Sequence, residues 1–571
     1  MSEIISRAIA AGSERVMSWA DVLDRINVFP VPDGDTGRNL VISLGPLRRT
    51  EKSPEELARE LLLSARGNSG NIAARFFSEL VACPGLHALP LFCERGRDRA
   101  YGAVPDPKPG TMLTLFDVLV EALRKRPPRP EEAWAREVVE SLEAAVRATT
   151  EQLPELREAG VVDAGALGMF IFFDSCLAAL IGREGMFTSV ADNFKGTLSL
   201  SESWEKPVDN GFCLDVVLRV ERETAAAMAG VYALGESVVA MADGDLLKVH
   251  LHAEDREEAQ RRLAALGSIV SFEADDLRAQ TRAFSGTGLN RAIHIMTDAA
   301  GSITREDARS LGLTLLDSYV NIGTRSLPET YLEPEKLFEA MRRGEKVSTS
   351  QASEWERRQC YRKALDLNRS VLYIAVGSVY TGNFRVASDW KEENDAEDRL
   401  VILDSGSASG RLGLAVLETA RLAQRSDDPD EVIAFARKTV DACREYIFLD
   451  KLQWLAAGGR LSKTSAFFGD VLHMKPVISP QPDGARKMGV VRSRKDQVEF
   501  MLKKLKEELD PKVDAVIMLE YSDNQEWLEE TVRPEVERRY ARAEILRRPM
   551  SLTSGAHMGP GTWGVAFLPR A

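Results

Sequence analysis

The chain has 571 residues, 44% of them hydrophobic and 28% charged, with a formal net charge of −13. That length predicts about two to four domains, each large enough to bury its own core. The composition excludes a disordered or fibrous chain, and the acidic balance argues against a nucleic-acid partner, which needs a basic surface.

Cys83, Cys93, Cys176, Cys213, Cys360 and Cys443 form no tight spacing pattern, which fits free thiols in a reducing cytoplasm. The opening MSEIISRAIAAGSERVMSWADVL has early acids and no apolar core, so it does not read as a signal peptide. Apolar residues recur with a helical period over 3–25, 54–65, 71–82, 111–125, 132–152 and 166–181. Residues 1–200 are therefore expected to be all-α. Ser53-Pro54-Glu55-Glu56 has the form of a capped helix start. Pro127-Pro128-Arg129-Pro130 punctuates between helices. Residues 164–182 are apolar enough to raise the question of a membrane span. Asp174 at their centre, with Gly165 and Gly168 near the start, favours a buried helix.

Between the first two helices lies Asn27-Val-Phe-Pro-Val-Pro-Asp33-Gly34-Asp35-Thr36-Gly37-Arg-Asn39. Its prolines fix φ and remove donors, and Gly34 allows a tight turn between two carboxylates. Hard oxygen ligands on such a loop suit Mg²⁺, which binds one or two carboxylates together with substrate phosphates. A bare Asp-Gly-Asp serves equally well as a turn with solvated acids. Gly67-Asn68-Ser69-Gly70 precedes an apolar-periodic run, so its N–H groups are expected at a helix N-terminus, a ready anion site.

This loop is followed in order by Ala65-Arg66-Gly67-Asn68-Ser69-Gly70, Gly110-Thr111-Met112-Leu113-Thr114 and Val162-Asp163-Ala164-Gly165. Together they resemble the nucleotide-binding domain shared by dihydroxyacetone kinases and the ATP-binding subunit of bacterial fatty acid kinase. The Phe-Pro-Val-Pro flank is closer to the latter. The resemblance spans roughly residues 1–285. It implies a helical barrel over residues 1–200 with ATP and Mg²⁺ bound at one end. Asp33 and Asp35 are then the metal ligands and catalytic residues, with Asn27 assisting. Thr36, Asn39, Asn68 and Ser69 contact phosphates, Gly67 and Gly70 add backbone donors, and Thr111 and Asp163 lie nearer the nucleoside.

Residues 183–205 are mixed and polar and read as a linker. A small α+β domain over 206–285 follows, with strands at 212–220, 237–241 and 246–251 and a helix over 254–266. His250 and His252 stand at i, i+2 and share a strand face. With Cys213 they make three ligands of a tetrahedral zinc site. Spacing alone fits a core cysteine and two strand histidines as well. The strings GFCLD and LLKVHLHAED resemble the middle domain of fatty acid kinase, which implies Zn²⁺, with Asp255 a candidate fourth ligand.

Phe284–Asn290 is the second linker. Over 290–571 apolar runs at 292–296, 371–376, 400–403 and 513–519 read as buried strands, and helical stretches alternate with them. A largely parallel sheet with covering helices is expected. Asp428-Pro429-Asp430-Glu431 opens one helix. Thr297-Asp298, Ser348-Thr349-Ser350-Gln351-Ala352-Ser353, Leu455-Ala-Ala-Gly458-Gly459-Arg460 and Ser554-Gly555-Ala556-His557-Met558-Gly559-Pro560-Gly561 resemble motifs of the DegV family, the fatty-acid-binding partner of fatty acid kinase. Two strings depart from the family: Asp298-Ala299 replaces its Asp-Ser, and Gly377-Ser378-Val379-Tyr380-Thr381-Gly382-Asn383 replaces its serine-rich turn.

The resemblance implies a long-chain fatty acid ligand whose carboxylate meets Thr349, Ser350, Ser378, Thr381, Gly382, Arg460 and His557. The whole chain then reads as a cytoplasmic kinase that makes acyl phosphate from ATP and a fatty acid. Further expected partners are an acyltransferase that uses acyl phosphate, a transient membrane surface and a second copy of the chain. Two rivals stand beside this reading. One is a lipid carrier or sensor with a decayed kinase half. The other is a dihydroxyacetone-type kinase, for which no ketone-capturing domain is recognisable.

Overall fold

A computed structural model of the chain describes residues 2–49, 52–183, 185–201, 204, 211–220, 224–277, 291–457 and 474–570. It divides into two compact units, 1–286 and 287–571.

The first unit opens with ten helices: α1 Glu3–Arg25, α2 Thr36–Leu44, α3 Pro54–Ser64, α4 Gly67–Leu80, α5 Leu89–Tyr101, α6 Met112–Lys125, α7 Glu132–Gln152, α8 Pro154–Ala159, α9 Ala164–Leu180 and α10 Val190–Asn193. Ser53 caps α3 in a full capping box with Glu56, as its sequence predicts. Helix α9 is buried along almost its whole length, and α1 packs along it. Among the described residues no helix is long and apolar enough to cross a membrane. Asp174 in α9 is buried because it pairs with Arg15 of α1, and both side chains are fully buried. Phe187 N–H and Thr188 Oγ1 also donate to Asp174, at 3.0 and 3.3 Å. In the core of these helices Phe76, Phe77, Phe116, Phe172 and Phe173 form an edge-and-stack cluster. Each such side chain contributes about 1.5–3 kcal/mol by leaving water.

The helices differ from expectation in two ways. The run read as 71–82 starts four residues earlier, so Gly67–Gly70 is the first turn of α4 rather than a loop before it. Helices α2 and α5 were hidden, α2 by the turn residues at its start and α5 by Pro90 and five charged residues.

The later part of this unit is a four-stranded antiparallel sheet in the order β2-β3-β1-β4. Its elements are β1 Phe212–Arg219, α11 Thr224–Tyr232, β2 Glu236–Asp243, β3 Leu246–Ala253, α12 Arg256–Ala264 and β4 Ser268–Asp276. Strand β4 and helix α11 add to the elements read from sequence. Leu214, Val216, Leu218, Leu247, Val249 and Leu251 fill the core of this sheet. The opposite face therefore carries Cys213, Asp215, His250 and His252.

The second unit is α/β. A parallel sheet, order β11-β10-β5-β6, is built from β5 His294–Asp298, β6 Thr314–Leu316, β10 Val371–Ala375 and β11 Leu400–Asp404. A three-stranded sheet, order β8-β7-β9, joins β7 Ser318–Ile322, β8 Arg325–Pro328 and β9 Val347–Gln351. A six-stranded sheet, order β14-β13-β12-β17-β15-β16, comprises β12 Arg444–Phe448, β13 Lys475–Gln481, β14 Gly484–Val491, β15 Ala515–Tyr521, β16 Ala543–Pro549 and β17 Trp563–Pro569. Only its β15–β16 pair is parallel. The expectation of a largely parallel sheet thus holds for one sheet and fails for the largest. A continuous apolar run reports burial on both faces, not strand direction. Asp428 caps the helix Pro429–Ala442 by accepting from Asp430 N–H, as read. Gly458, Gly459 and Arg460 lie outside the described residues, as does the linker 284–290.

Candidate functional site

In the first unit the 27–39 loop is held by its own side chains. Asn27 Nδ2 donates to Asp33 Oδ1 at 2.6 Å and to Val31 O at 3.1 Å, and Thr36 Oγ1 donates to Asn27 Oδ1. Gly34 turns the chain at φ 70° between the two acids. Asp35 immediately precedes α2, yet its carboxylate makes no capping bond there. Both carboxylates border a cavity of about 420 Å³. Burial first, and then the charge of Asp35, push the Asp33 carboxyl well above the usual range. A cation between the two would relieve that repulsion.

The first turn of α4 borders the same cavity through Gly67, Asn68 and Ser69. Gly67 has φ 63°, and a Cβ there would overlap Asn39 Nδ2. Gly70 faces α2 instead, where a Cβ would strike Ser43 Oγ. Asn39 Oδ1 and Asn68 Oδ1 are buried and without a hydrogen-bond partner among the described residues. Thr111 and Asp163 also line the cavity. Thr111 Oγ1 donates to Lys108 O at 2.9 Å. Asp163 caps α9, accepting from Ala166 N–H at 2.7 Å, and also accepts N–H bonds from Gly165 and Met112. It therefore pins the starts of α6 and α9 together. Burial pushes its carboxyl up to about 7 against those three donors.

Cys213, His250 and His252 converge, with one ligand atom from each lying within 4.8 Å of the others. Register explains the convergence: Cys213 opposes His252 and Asp215 opposes His250 across β1 and β3. Burial, with His250 alongside, pushes His252 down to about 3, so its ring stays neutral. Burial and then the carboxylates of Asp215, Asp35 and Asp33 push the Cys213 thiol well above its usual range. His250 Nε2 is buried without a partner among the described residues. A neutral His252 ring, a thiol surrounded by acids and the unsatisfied Nε2 of His250 fit a soft divalent cation such as Zn²⁺. Asp255 does not complete this set. It caps α12 and accepts from Glu257 and Glu258 N–H at 2.8 and 3.0 Å. His250 and His252 border the cavity that holds Asp33 and Asp35. Sequence separation gave no hint of that meeting.

In the second unit Thr349 on β9 lies 2.9 Å from His557, Oγ1 to Nε2. Ser350 Oγ accepts from Asn321 Nδ2 at 3.4 Å. The turn 377–383 reaches the same strand through Arg357, whose Nη1 donates to Gln351 Oε1 at 3.2 Å and Asn383 Oδ1 at 2.7 Å. Ser378 N–H donates to Asp404 Oδ1 at 3.0 Å, and Thr381 Oγ1 accepts from Asn383 N–H at 3.3 Å. Gly382 precedes the helix Asn383–Asn394 and faces the Gln351 side chain.

Three family models match the chain: the DAK2 domain over residues 30–178, the FakA-like middle domain of fatty acid kinase over 209–284, and the uncharacterised proteins of the DegV family over 292–570. One chain carries all three domains, matching a fatty acid kinase fusion.

Among curated proteins, Protein YloV of Bacillus subtilis is 30% identical over 306 residues, covering 48% of this chain and 54% of YloV. The chain thus spans about half the length of that relative. The DegV domain-containing protein YteA of Lactococcus lactis is 25% identical over 283 residues, covering 48% of this chain and 97% of YteA. Among solved structures, a fatty-acid-binding DegV family protein from Thermus thermophilus is 24% identical with a TM-score of 0.46, covering 49% of this chain and all of that one. DegV of Bacillus subtilis, a fatty acid binding protein, is 21% identical with a TM-score of 0.45, at the same coverage.

Two buried carboxylates hold the elements around the second of these sites. In the DegV domain Asp298 accepts from Tyr373 Oη, Val376 N–H and Asn383 Nδ2 at 2.9, 2.7 and 2.6 Å, which fixes both ends of the 377–383 turn. Glu329 accepts from Ser551 Oγ and Thr553 N–H at 2.8 and 3.1 Å, which fixes the start of the helix Leu552–Met558 that carries His557. Burial pushes Asp298 up to about 6 and Glu329 up to about 7. For acids raised in the folded state, the stabilising contribution is complete below the unfolded pKa of about 4 and is lost as pH rises through about 6 to 7. The melting temperature of the DegV domain is therefore expected to fall between pH 5 and pH 8, and Glu329→Gln to flatten the slope. An unchanged slope in that variant would remove Glu329 as its source.

Proposed function

We propose that the chain transfers the γ-phosphoryl group of ATP to the carboxylate of a long-chain fatty acid held by its DegV domain, yielding acyl phosphate and ADP. The observation that carries this reading is the meeting of Asp33, Asp35 and the first turn of α4 on one cavity, in a chain that also holds a DegV domain. A fatty acid is ionised near pH 7, so its oxygen attacks phosphorus without a general base. The new bond is carboxylate oxygen to γ-phosphorus, and the bond to the β–γ bridging oxygen breaks with its electrons leaving on ADP. Positioning and charge neutralisation carry most of such a transfer.

Asp33 and Asp35 would hold Mg²⁺, which supplies neutralising charge for the phosphates when bound. Asn27 and Thr36 keep Asp33 in place from within the loop. Asn68 and Ser69, with the remaining free N–H groups of the α4 start, bind phosphate oxygens. Cys213, His250 and His252 would hold Zn²⁺, which adds positive charge to the same cavity. In the DegV domain Thr349, Ser350, Ser378, Thr381 and His557 orient the carboxylate through their donors. Each methylene removed from water favours binding by about 0.8 kcal/mol.

The test is a trapping assay on the full chain with a long-chain fatty acid, MgATP and hydroxylamine. Wild type is expected to form acyl hydroxamate in step with ADP. Thr349→Val keeps the side-chain shape and removes the hydroxyl. A buried acceptor that loses a donor costs about 1–3 kcal/mol, so half-saturation should need about ten times more fatty acid. ADP without hydroxamate in the wild type would overturn the reading.

A further inference from the structure

Gly67 N–H does not point at an empty site. It donates to Asp215 Oδ2 at 3.1 Å, across 148 positions of sequence. Asn71 Nδ2, one turn further along α4, lies 3.4 Å from Asp215 Oδ1. From its other side Asp215 meets the metal cluster, with His250 Nδ1 3.4 Å from Oδ2. Lys248 Nζ stands 3.6 Å from Oδ1. Asp215 is 4% exposed. One buried carboxylate thus touches the ring of a metal ligand and the backbone of the phosphate-binding turn. Arg66, just before that turn, strengthens the same seam through Asp275 at 2.7 Å and Glu273 at 3.1 Å.

We propose that Asp215 is a positioning residue that couples the two halves of the cavity, so that a cation in the Cys213–His250–His252 cluster strengthens nucleotide binding at the α4 turn. The inference rests on the nucleotide and metal readings given above. Its physical basis is that a metal ligand's ring is oriented by the carboxylate beside it. A cation that fixes the His250 ring and the β1–β3 pair fixes Asp215, and with it the Gly67 N–H and the direction of α4. Linkage makes the effect reciprocal: nucleotide must strengthen cation binding by the same factor. Asp215 stands two residues after Cys213 on one strand face and closes the GFCLD string, which gave it no role of its own.

The test uses the full chain, Zn²⁺, and a non-hydrolysable ATP analogue with Mg²⁺. Analogue affinity is measured by calorimetry on zinc-loaded and zinc-stripped protein. Zinc affinity is measured by competition with a chromophoric chelator, with and without the analogue. In the wild type each ligand is expected to tighten the other about fivefold or more. Asp215→Asn keeps the shape, loses the charge and presents an amide to one of its donors. It should weaken both ligands and bring the coupling factor toward one, and Asp215→Glu should restore part of it. A wild-type coupling factor of one overturns the proposal without recourse to any variant that fails to fold. So does Asp215→Asn with the wild-type factor. Zinc uptake with no coupling refutes Asp215 alone, whereas a wild type that takes up no zinc refutes the metal reading as well.

Discussion

The double substitution Asp33→Asn, Asp35→Asn is expected to abolish acyl phosphate formation from ATP while leaving fatty acid bound to the DegV domain. Asparagine is nearly isosteric with aspartate but lacks the hard anionic oxygen that Mg²⁺ requires. The substitution also removes the burial cost of a charged group and the repulsion from Asp35 that together raise Asp33, so the loop is not expected to lose stability. Electrostatic groups at phosphoryl and acyl centres are worth about two to three orders of magnitude each, so the pair should cost on the order of a thousandfold or more. A paired assay scores hydroxylamine-trapped product and bound fatty acid on one preparation. Retained synthesis would place the phosphoryl site elsewhere.

The largest expected effect on stability lies at Asp174. Asp174→Leu leaves the Arg15 guanidinium fully buried without its carboxylate, and also strands Phe187 N–H. Breaking a buried pair by removing one partner costs about 3–5 kcal/mol. Denaturant unfolding followed on the helical part of the chain should show that loss. The double variant Arg15→Met, Asp174→Leu should recover most of it, because no lone charge then remains buried. A loss below about 1 kcal/mol in the single variant would mean that water or another group reaches Arg15.

The same pair shows how far the sequence was readable. An all-apolar helix with one acid at its centre was enough to place α9 in a core, but the partner of Asp174 lies 159 positions earlier and leaves no local trace. Periodicity located α1, α3, α6 and α7 closely because each has one polar and one apolar face. Helix α2 escaped because its start coincides with the Asp-Gly-Asp-Thr-Gly turn, where local signals point to a loop. Strand β4 escaped because it sits at the sheet edge, where half-exposed polar residues blur the alternation. Strand direction in the six-stranded sheet was beyond reach, since only β15 was read from the sequence, as the apolar run 513–519, and such a run carries no direction.

For the candidate site, local strings pointed to Asp33, Asp35, Asn68 and Ser69, and the structure sets them around one cavity. They did not show that His250 and His252 border it too, because that depends on how the β1–β3 face packs against the start of α4. Asp215 ends the GFCLD string and Asp298 lies in Thr297-Asp298, but neither string gave its acid a role, and Glu329 stands outside every recognised motif. Their importance lies in what they hold, and a partner distant in the chain cannot be inferred from spacing.

The claim at the centre of this account is that a fatty acid oxygen attacks the γ-phosphorus of ATP. It is tested most directly with a fatty acid labelled with oxygen-18 in its carboxylate. Hydroxylamine attacks the acyl carbon of an acyl phosphate and releases phosphate with the bridging oxygen attached. The account predicts that each phosphate released with hydroxamate carries one labelled oxygen from the fatty acid. Phosphate released without label would contradict it, because no bond would then have formed between that carboxylate and phosphorus.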